Sequence, residues 1–353
     1  MRIVNVMISK SLGGIEQAFL DYTQALKLHQ HEVCAVVNSK CKISDALQNL
    51  HPAQIVKIPF VHYNYLLVLY LYRCLKDFAP DVIIVHNKKA VNIFKMVAKL
   101  LKCKIVAVSH NPKFKHINKC DGIFTITDYQ RNIFIKKGYP AQYIYTIPNL
   151  ISQKRAYEQL QFHEPPIIGT MGRFDPMKGF PDFVEALAKL KQQGVVFKAV
   201  IGGGVQSDYQ EEFEKICRII EQNNMQQDVS LIGWVKDKAK FFDNIDIFVL
   251  PSRFEPFGIV LLEAMMHGKP VVSSLAEGPA EIFAEYPDAA YLFETGNIED
   301  MAEQMKNAVT NSLQAAQKAY NGYQLCNQKY SLEVVADKLH SALKNFVSDK
   351  EEK

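Results

Sequence analysis

Short apolar runs alternate with longer segments in which apolar residues recur every three or four positions along the chain. Strands that are buried on both faces of a parallel sheet are apolar throughout, whereas the helices that cover the sheet carry one apolar face. The alternation therefore predicts an α/β fold in which strands and helices follow one another.

The pattern divides into two series of strands, each typical of a doubly wound parallel sheet. The predicted strands of the first half span 3–8, 32–37, 55–58, 82–85, 105–109, 122–127 and 144–147, with helical segments between them, for example at 15–28 and 90–101. The predicted strands of the second half span 167–171, 197–201, 229–232, 247–250, 270–273 and 290–293. Its predicted helices span 179–193, 209–223, 260–267 and 298–319.

A polar stretch that contains Pro148, Pro165 and Pro166 separates the two series and has the composition of a linker. We therefore expect one domain at 1–150 and a second at 165–330. A last helix, at about 331–348, begins at Ser331, which is a favourable N-cap residue.

Charge is distributed unevenly between the two halves. Residues 1–150 contain 20 Lys and Arg against 8 Asp and Glu, a net charge of 20 − 8 = +12, and the remainder has 21 − 29 = −8. An excess of positive charge suits an anionic partner such as a membrane surface, a phosphorylated glycolipid or nucleic acid. The alternative is that the lysines only solvate helix surfaces.

Composition places the chain among ordinary globular proteins, with 48% hydrophobic and 22% charged residues. No signal peptide precedes the first predicted strand, and no apolar stretch reaches the length of a membrane span, so we expect a cytoplasmic location. The seven cysteines include no CxxC pair, which favours reduced thiols over a disulfide framework or a zinc site.

The segment 60–78 is unusually aromatic and contains Tyr63, Tyr65, Tyr70 and Tyr72 around an apolar run. One interpretation is an interfacial helix that contacts a membrane or a lipid-linked acceptor. The other is a helix of the domain core, which is favoured because interfacial helices usually carry a clearer polar face.

The most informative segment is 251–265, which follows the predicted strand at 247–250. Gly258 and the proline before it end the extended segment, and an apolar helix begins directly afterwards. Glu255 and Glu263 flank the start of that helix, where unpaired backbone N–H groups form an anion site. Phosphate-binding donors beside two carboxylates are the combination that a nucleotide sugar requires.

Two further loops at predicted strand ends carry candidate binding residues. Arg173 and Lys178 bracket a loop where open α/β sheets bind ligands, and together they would neutralise a diphosphate. The alternative is a surface loop held by salt bridges. Gly202, at the end of the next strand, would permit close approach of a ligand.

In the first half, Gly13 and Gly14 lie between a predicted strand and a predicted helix, where backbone approaches a ligand closely. His86 and His110 each end a predicted strand, and a histidine there would bond a sugar hydroxyl or carry a proton. Each feature alone is more often structural. The third glycine of a dinucleotide fingerprint is missing, and no DxD, Walker A or GxSxG motif occurs.

In their order and spacing, these residues resemble the retaining glycosyltransferases of the two-Rossmann B fold, glycosyltransferase family 4. The resemblance runs across nearly the whole chain. It is carried by Gly13-Gly14-Ile15-Glu16, His110, Ile147-Pro148-Asn149, Gly172-Arg173-Phe174, Lys178-Gly179, and Glu255 with seven residues before Glu263.

The resemblance implies two Rossmann-like domains facing across a cleft, with the last helix (331–353) crossing back to the first domain. It also implies metal-independent transfer from a nucleotide-sugar donor, most commonly a UDP-sugar, with no cofactor. The acceptor would be a glycolipid or glycan such as lipopolysaccharide core. Peripheral contact with an anionic membrane at its inner face would fit that acceptor, and no nucleic acid is expected.

The same resemblance implies roles for individual residues. Arg173 and Lys178 would hold the diphosphate, and Glu263 would accept hydrogen bonds from the ribose. His110 and Glu255 would act at the donor sugar and are the implied catalytic residues. The remaining implied donor-site residues are Gly13, Gly14, Gly202, Phe257, Gly258 and Ile259.

The sequence departs from the family pattern at Met177, where an acidic residue is common, and at Gly278, where a glycine pair is common. Other functions for the same architecture are a nucleotide-sugar epimerase, a phosphorylase, or a binding module without catalysis. An oxidoreductase with a nicotinamide cofactor is disfavoured because the dinucleotide fingerprint is missing.

Overall fold

A computed structural model describes residues 1–10, 13–59, 65–112, 117–204 and 209–348. The chain divides into two compact units. The first consists of Met1–Ser152 and the chain from Tyr330 on, and the second is Gln153–Lys329.

The first unit contains, within its described residues, a seven-stranded sheet with the order β3-β2-β1-β4-β5-β6-β7. All neighbouring strands are parallel. The strands are β1 (Arg2–Met7), β2 (Glu32–Asn38), β3 (Gln54–Ile58), β4 (Val82–Val85), β5 (Lys104–Ser109), β6 (Gly122–Thr125) and β7 (Ile144–Thr146). The helices are α1 (Gly14–Leu28), α2 (Ser44–Asn49), α3 (Tyr65–Leu75), α4 (Lys88–Leu101) and α5 (Asp128–Lys136).

The second unit contains, within its described part, a six-stranded parallel sheet with the order β10-β9-β8-β11-β12-β13. The strands are β8 (Ile167–Arg173), β9 (Lys198–Gly204), β10 (Val229–Gly233), β11 (Ile247–Leu250), β12 (Val271–Ser274) and β13 (Tyr291–Phe293). The helices are α6 (Phe180–Gln192), α7 (Gln210–Gln222), α8 (Lys238–Asp243), α9 (Ile259–Met266), α10 (Glu277–Phe283), α11 (Ile298–Thr310) and α12 (Ser312–Leu325).

The predicted α/β fold with two doubly wound sheets is confirmed. The central strands β4 and β11 are buried along their whole length, as their continuous apolar sequences indicate. In each sheet the strand order reverses once, between β1 and β4 and between β8 and β11. Loops that leave the carboxyl ends of these paired strands diverge to opposite faces, and the crevice that they leave is where such sheets bind ligands.

One predicted helix was wrong in extent. The segment predicted as one helix at 298–319 forms two, α11 and α12, because Asn311 interrupts it and its side chain accepts a hydrogen bond from the backbone N–H of Gln314. An asparagine that caps a helix in this way begins a new one rather than continuing the old one. The short helices α8 and α10 were not predicted.

The last helix, α13 (Leu332–Ser348), packs on the first unit, as the predicted fold requires. Its buried residues include Leu339, Leu343 and Phe346, which share a core cluster with Tyr22 and Leu26 of α1. The chain therefore returns to its first unit after completing the second.

Helix α3 buries one apolar face and exposes another. Leu67, Val68, Leu71 and Leu75 are buried in the core of the first unit. The opposite face exposes Tyr65, Leu66, Leu69 and Tyr70. The buried face agrees with the interpretation of segment 60–78 as a core helix, and contact with a membrane stays a prediction; Tyr63 lies outside the described residues. In the part of the chain that the structure describes, no helix combines the length and hydropathy needed to cross a membrane.

Three histidines meet where α13 packs against α1. His31 Nε2 lies 3.0 Å from His340 Nδ1, and the ring of His340 stacks on that of His29 at a centroid distance of 4.4 Å. Burial, the nearby amino group of Met1 and the other two histidines lower the pKa of His31 to about 4, against a smaller opposing effect of Asp81. The pKa of His340 is lowered too, first by burial and then by His29.

We predict that acid weakens this junction. The pKa of His31 is about 4 when folded and 6.5 when unfolded, so the unfolded chain binds the proton first as the pH falls. Between pH 7 and pH 5 this one group should lower the free energy of unfolding by roughly 1 to 2 kcal/mol. Urea unfolding of the wild type and of His31→Gln at both pH values measures it, and the variant should lose less. Equal losses in the two proteins would contradict the prediction.

Candidate functional site

Two loops of the second unit meet at the point where its strand order reverses. Lys178 ends the loop after β8, and Glu255 lies in the loop after β11. The Lys178 Nζ is 2.6 Å from the Glu255 Oε2. The Glu255 side chain is only 10% exposed, against 24% for that of Lys178, so the pair forms a largely buried ion pair at the carboxyl edge of the sheet.

The backbone holds these two loops together. The N–H groups of Arg253 and Phe254 both donate to the carbonyl oxygen of Met177, at 2.8 and 3.2 Å. The carbonyl oxygen of Glu255 accepts from the N–H of Gly278 at 2.9 Å, which ties the same loop to α10. Backbone hydrogen bonds next to Lys178 and on both sides of the Glu255 side chain therefore fix the positions of the two residues.

A bidentate ion pair connects the loop after β11 to α6. The guanidinium of Arg253 donates through Nε and Nη2 to the two carboxylate oxygens of Asp182, each at 2.7 Å. Asp182 is buried in the first turn of α6. Because a planar fork fixes orientation as well as distance, this pair sets the direction of the loop.

Gly179 is required where the two loops cross. Its φ is +66°, and a Cβ at this position would lie 2.1 Å from the carbonyl oxygen of Pro251. A glycine thus lets the loop after β8 pass directly over the end of β11.

Helix α9 begins beside this pair. Gly258 precedes it with a φ of +97°, a left-handed conformation that favours glycine. The first N–H groups of a helix lack partners within it and carry partial positive charge, so the start of α9 at Ile259 is suited to an anion. The side chain of Phe257 is buried, which leaves only its backbone for the site.

Glu263 lies one turn into α9. Its Oε1 accepts a hydrogen bond from Lys238 Nζ at 2.5 Å, while its Oε2 is buried and has no partner among the described residues. A buried carboxylate oxygen without a donor is costly, and a hydroxyl group of a ligand would satisfy it. One oxygen of this carboxylate is thus paired with Lys238, and the other is available to a ligand.

Arg173 and Gly202 differ in how they relate to the site. The Arg173 side chain is about half exposed, and its Nη2 lies 3.7 Å from Asp175, a distance that leaves its donors largely uncommitted. Gly202 is buried, and a Cβ there would lie 2.4 Å from Val235. Packing of β9 against Val235 is therefore sufficient reason for a glycine at this position.

The first unit brings its candidates to the carboxyl edge of its own sheet. Gly13 precedes α1 in an extended conformation, and both Gly13 and Gly14 are exposed, next to residues 11–12, which lie outside the described residues. His110 follows β5, and its Nε2 lies 3.2 Å from Nδ1 of His86, which follows β4. Burial lowers the pKa of His110 to about 4, and burial together with His110 lowers that of His86.

Several residues at these edges were missed in the sequence. Asp182 and Lys238 lie far from their partners along the chain, and only the fold brings them together. Arg253 lies within segment 251–265. Its position two residues before Glu255 was the signal in the sequence that could have identified it as a site residue. Within the described residues, no group of three His, Cys, Asp or Glu side chains has the arrangement of a metal site.

Two protein-family models match the chain. One, described as Glycosyltransferase Family 4, matches residues 12–155, and the other, Glycosyl transferases group 1, matches residues 152–325. Together they cover most of the sequence and meet at the linker between the two units. The chain belongs to the GT-B glycosyltransferases of family 4.

Several curated proteins are similar to this chain at moderate identity. A poly(ribitol-phosphate) alpha-N-acetylglucosaminyltransferase of Staphylococcus aureus is 29% identical over 64% of this chain and 44% of its own length. The lipopolysaccharide core biosynthesis glycosyltransferase LpsE of Rhizobium meliloti is 29% identical over 49% of this chain and 48% of its own. The chain thus spans about half the length of the curated relatives that it matches.

Solved structures of GT-B glycosyltransferases share the fold. Anabaena HepE, in complex with UDP and glucose, has a TM-score of 0.82 at 18% identity and covers 98% of this chain and 99% of its own. The lipopolysaccharide outer core galactosyltransferase WaaB has a TM-score of 0.73 at 20% identity, with 98% and 99% covered. At these identities the likeness extends to the fold alone.

We predict that Gly179→Ala disrupts the loop crossing. Its matched control is Gly194→Ala, because Gly194 has a similar φ of +78° but open space around it. Both variants strain the backbone, whereas only Gly179→Ala collides with Pro251, so its loss of unfolding free energy should be about 1 to 3 kcal/mol larger. Urea unfolding measures the difference, and equal losses would show that the crossing is not tight.

Proposed function

We propose that the protein transfers a sugar from a nucleoside-diphosphate donor, a UDP-sugar, to a hydroxyl group of a glycolipid or polysaccharide, with retention of anomeric configuration. The observation that carries the proposal is the pairing of Lys178 with Glu255 beside the start of α9. A cation, a helix N-terminus and a carboxylate in one place suit a diphosphate that is joined to a sugar.

The diphosphate is assigned to the cationic side of this site. Arg173 has uncommitted donors, Lys178 offers an ammonium group, and the N–H groups at Gly258 and Ile259 add the positive end of α9. When the bond between the anomeric carbon and the phosphate oxygen breaks, negative charge accumulates on the leaving UDP. Preorganised positive groups stabilise that charge in the transition state.

The hydroxyl groups of the donor are assigned to the carboxylates. The partnerless Oε2 of Glu263 would accept from the ribose, and Glu255 would accept from the donor sugar while Lys178 keeps its orientation. His110 of the first unit is assigned to the donor sugar, and Gly13 and Gly14 to close backbone approach. A neutral His110 at pH 7, which its low pKa ensures, is suited to hydrogen bonding with an uncharged sugar.

Retention of configuration requires the acceptor to attack the face from which the leaving group departs. The acceptor oxygen would bond to the anomeric carbon as the bond to the phosphate oxygen breaks, and its proton would pass to that departing oxygen. This step needs a held diphosphate and no base from the protein. Glu255 is then a hydrogen-bond acceptor for the sugar rather than a nucleophile.

UDP and a glycan acceptor are the substrates that the relatives favour. HepE structures hold UDP, and the two curated relatives are named for poly(ribitol-phosphate) and for lipopolysaccharide core biosynthesis. The net charge of +12 over residues 1–150, from 20 Lys and Arg less 8 Asp and Glu, complements an anionic acceptor.

An anionic membrane surface is the proposed location of that acceptor. The exposed face of α3 presents Tyr65, Leu66, Leu69 and Tyr70, and the neighbouring α4 packs against the other side of α3. Exposed lysines lie just after α3 and along the neighbouring α4, namely Lys76, Lys88, Lys89, Lys95, Lys99 and Lys102. Apolar side chains flanked by cations are the pattern of surfaces that bind anionic lipids.

We predict that UDP stabilises the folded protein and that Lys178→Ala removes this stabilisation. The matched control is Lys189→Ala, which breaks a surface pair with Glu299 of similar length, 2.8 Å, and should keep the UDP response. Thermal shift with UDP, GDP and ADP measures it. No shift with any diphosphate would contradict the donor site.

We predict that Glu255→Gln lowers the transfer rate about 100-fold or more, because the group that accepts from the sugar becomes a weaker acceptor. Transfer from UDP-sugars to isolated lipopolysaccharide core or teichoic acid, with the product anomer read by NMR, measures it. Consumption of the donor without acceptor would favour an epimerase. Binding of UDP-sugars with no turnover under any acceptor would favour a binding module, and an inverted product would contradict retention.

For the membrane surface, we predict binding to vesicles that contain phosphatidylglycerol and none to pure phosphatidylcholine. Replacing Leu66 and Leu69 by aspartate should weaken binding about tenfold or more, since two exposed leucines lose their apolar contact. The control is Leu313→Asp, at a leucine of the second unit that is at least as exposed as Leu66 and Leu69. Co-sedimentation that is unchanged in the double variant would contradict the assignment.

A further inference from the structure

A chain of hydrogen bonds runs from Asn5 in β1 to His110. The amide Nδ2 of Asn5 donates to the carbonyl oxygen of Phe19 at 3.2 Å and to Oγ1 of Thr23 at 3.1 Å. Both partners lie on α1 and are buried. Since Nδ2 must face these two acceptors, the oxygen Oδ1 of Asn5 must face the other way.

On that other side, Asn5 Oδ1 lies 2.9 Å from Nε2 of His86. An amide oxygen only accepts, so Nε2 of His86 carries a hydrogen. His86 is almost completely buried, and this burial favours the neutral ring, which has one hydrogen. Its Nδ1 is therefore bare and accepts a hydrogen bond.

The partner of that bare nitrogen is His110, whose Nε2 lies 3.2 Å away. Nε2 of His110 must then carry the hydrogen of its own ring. The Nδ1 of His110 is left bare, and none of the described residues donates to it. The rings of Phe19 and Tyr22 pack edge-on against His86, at centroid distances of 5.7 and 4.9 Å, which holds the chain in place.

We infer that Asn5 and His86 are positioning residues that keep His110 in the Nε2–H tautomer, so that it presents a bare Nδ1 that accepts a hydrogen bond from a hydroxyl of the donor sugar. The inference rests on the proposed function for its ligand, although the tautomer itself does not. It assigns His110 the role of a neutral acceptor and excludes that of a proton donor at this atom.

The role suits the chemistry of the proposed transfer. A sugar hydroxyl that donates to Nδ1 is oriented and made slightly more electron-rich, which favours positive charge on the nearby anomeric carbon in the transition state. The opposite tautomer would present an N–H to the sugar and withdraw electron density instead. The Asn5–His86 pair therefore acts on the reaction through His110 alone.

The direct test is a long-range ¹H–¹⁵N NMR spectrum of protein labelled at histidine, without ligand, at pH 7. Signals of His110 are identified by their loss in His110→Gln. The inference predicts a protonated-type shift for Nε2 and a bare-type shift for Nδ1. A protonated Nδ1 on His110 in the wild type would overturn it, whether or not the protein transfers sugar.

A matched pair of variants then tests the origin of the tautomer. In His86→Gln the amide still donates to Asn5 and accepts from His110, so the Nε2–H tautomer should persist. In His86→Leu nothing accepts from His110, and a mixture of tautomers should appear. If His86→Leu does not fold, Asn5→Leu removes the same anchor one step further away and should give the same mixture.

Kinetics separate positioning from mere support of the fold. His86→Leu should lower kcat about tenfold, which corresponds to about 1.4 kcal/mol, with little change in the KM for the donor, while His86→Gln stays near the wild type. An unchanged tautomer and unchanged kcat in a folded His86→Leu would overturn the inference. A wild type that shows the expected tautomer but no response to UDP would instead count against the proposed function.

Discussion

The ion pair between Lys178 and Glu255 is the interaction on which the rest of the site depends. Each residue lies in the loop that follows one of the two strands, β8 and β11, between which the second sheet reverses its order. Loops diverge at such a point, so contacts outside the sheet must hold them together. Bonds from Met177 to the backbone at Arg253, and the fork of Arg253 on Asp182, provide that closure. Removing either charge of the pair would leave the other largely buried and unpaired, which is more costly than the pair is favourable.

The candidate residues of the two units differ in their electrostatics. The candidate residues of the second unit are charged. An ammonium group, a guanidinium group and a helix N-terminus are proposed to bind the diphosphate, and carboxylates are proposed to bind hydroxyl groups. The first unit does the reverse at His110, where burial lowers the pKa to about 4 and so suppresses charge at pH 7. A neutral hydrogen-bond acceptor suits an uncharged sugar. The division follows from side chains that come after the strands, which are charged at Lys178 and Glu255 and neutral at His86 and His110.

Much of the fold and several candidate site residues were predictable from the sequence. The contacts that were not predicted have a common physical cause. Continuous apolar runs such as 82–85 and 247–250 indicate buried strands, because a central strand of a parallel sheet is the usual structure in which so short a segment is buried on both faces. The spacing of Glu255 and Glu263 around Gly258 indicated an anion site, because a glycine and a helix start act locally. The bond between Arg253 and Asp182 joins residues 71 positions apart, and that between Asn5 and His86 joins residues 81 apart. No local pattern encodes such contacts, and the missed break at Asn311 shows that even a local cap is overlooked inside an amphipathic run.

A crystal structure of the protein with bound UDP tests the central claim most directly, which is that the switch point of the second sheet holds the donor diphosphate. The account predicts diphosphate oxygens within hydrogen-bonding distance of Lys178 Nζ and of the first N–H groups of α9, with a ribose hydroxyl on the Oε2 of Glu263. UDP bound elsewhere, with Lys178 still paired only to Glu255 and Oε2 of Glu263 still without a donor, would contradict it.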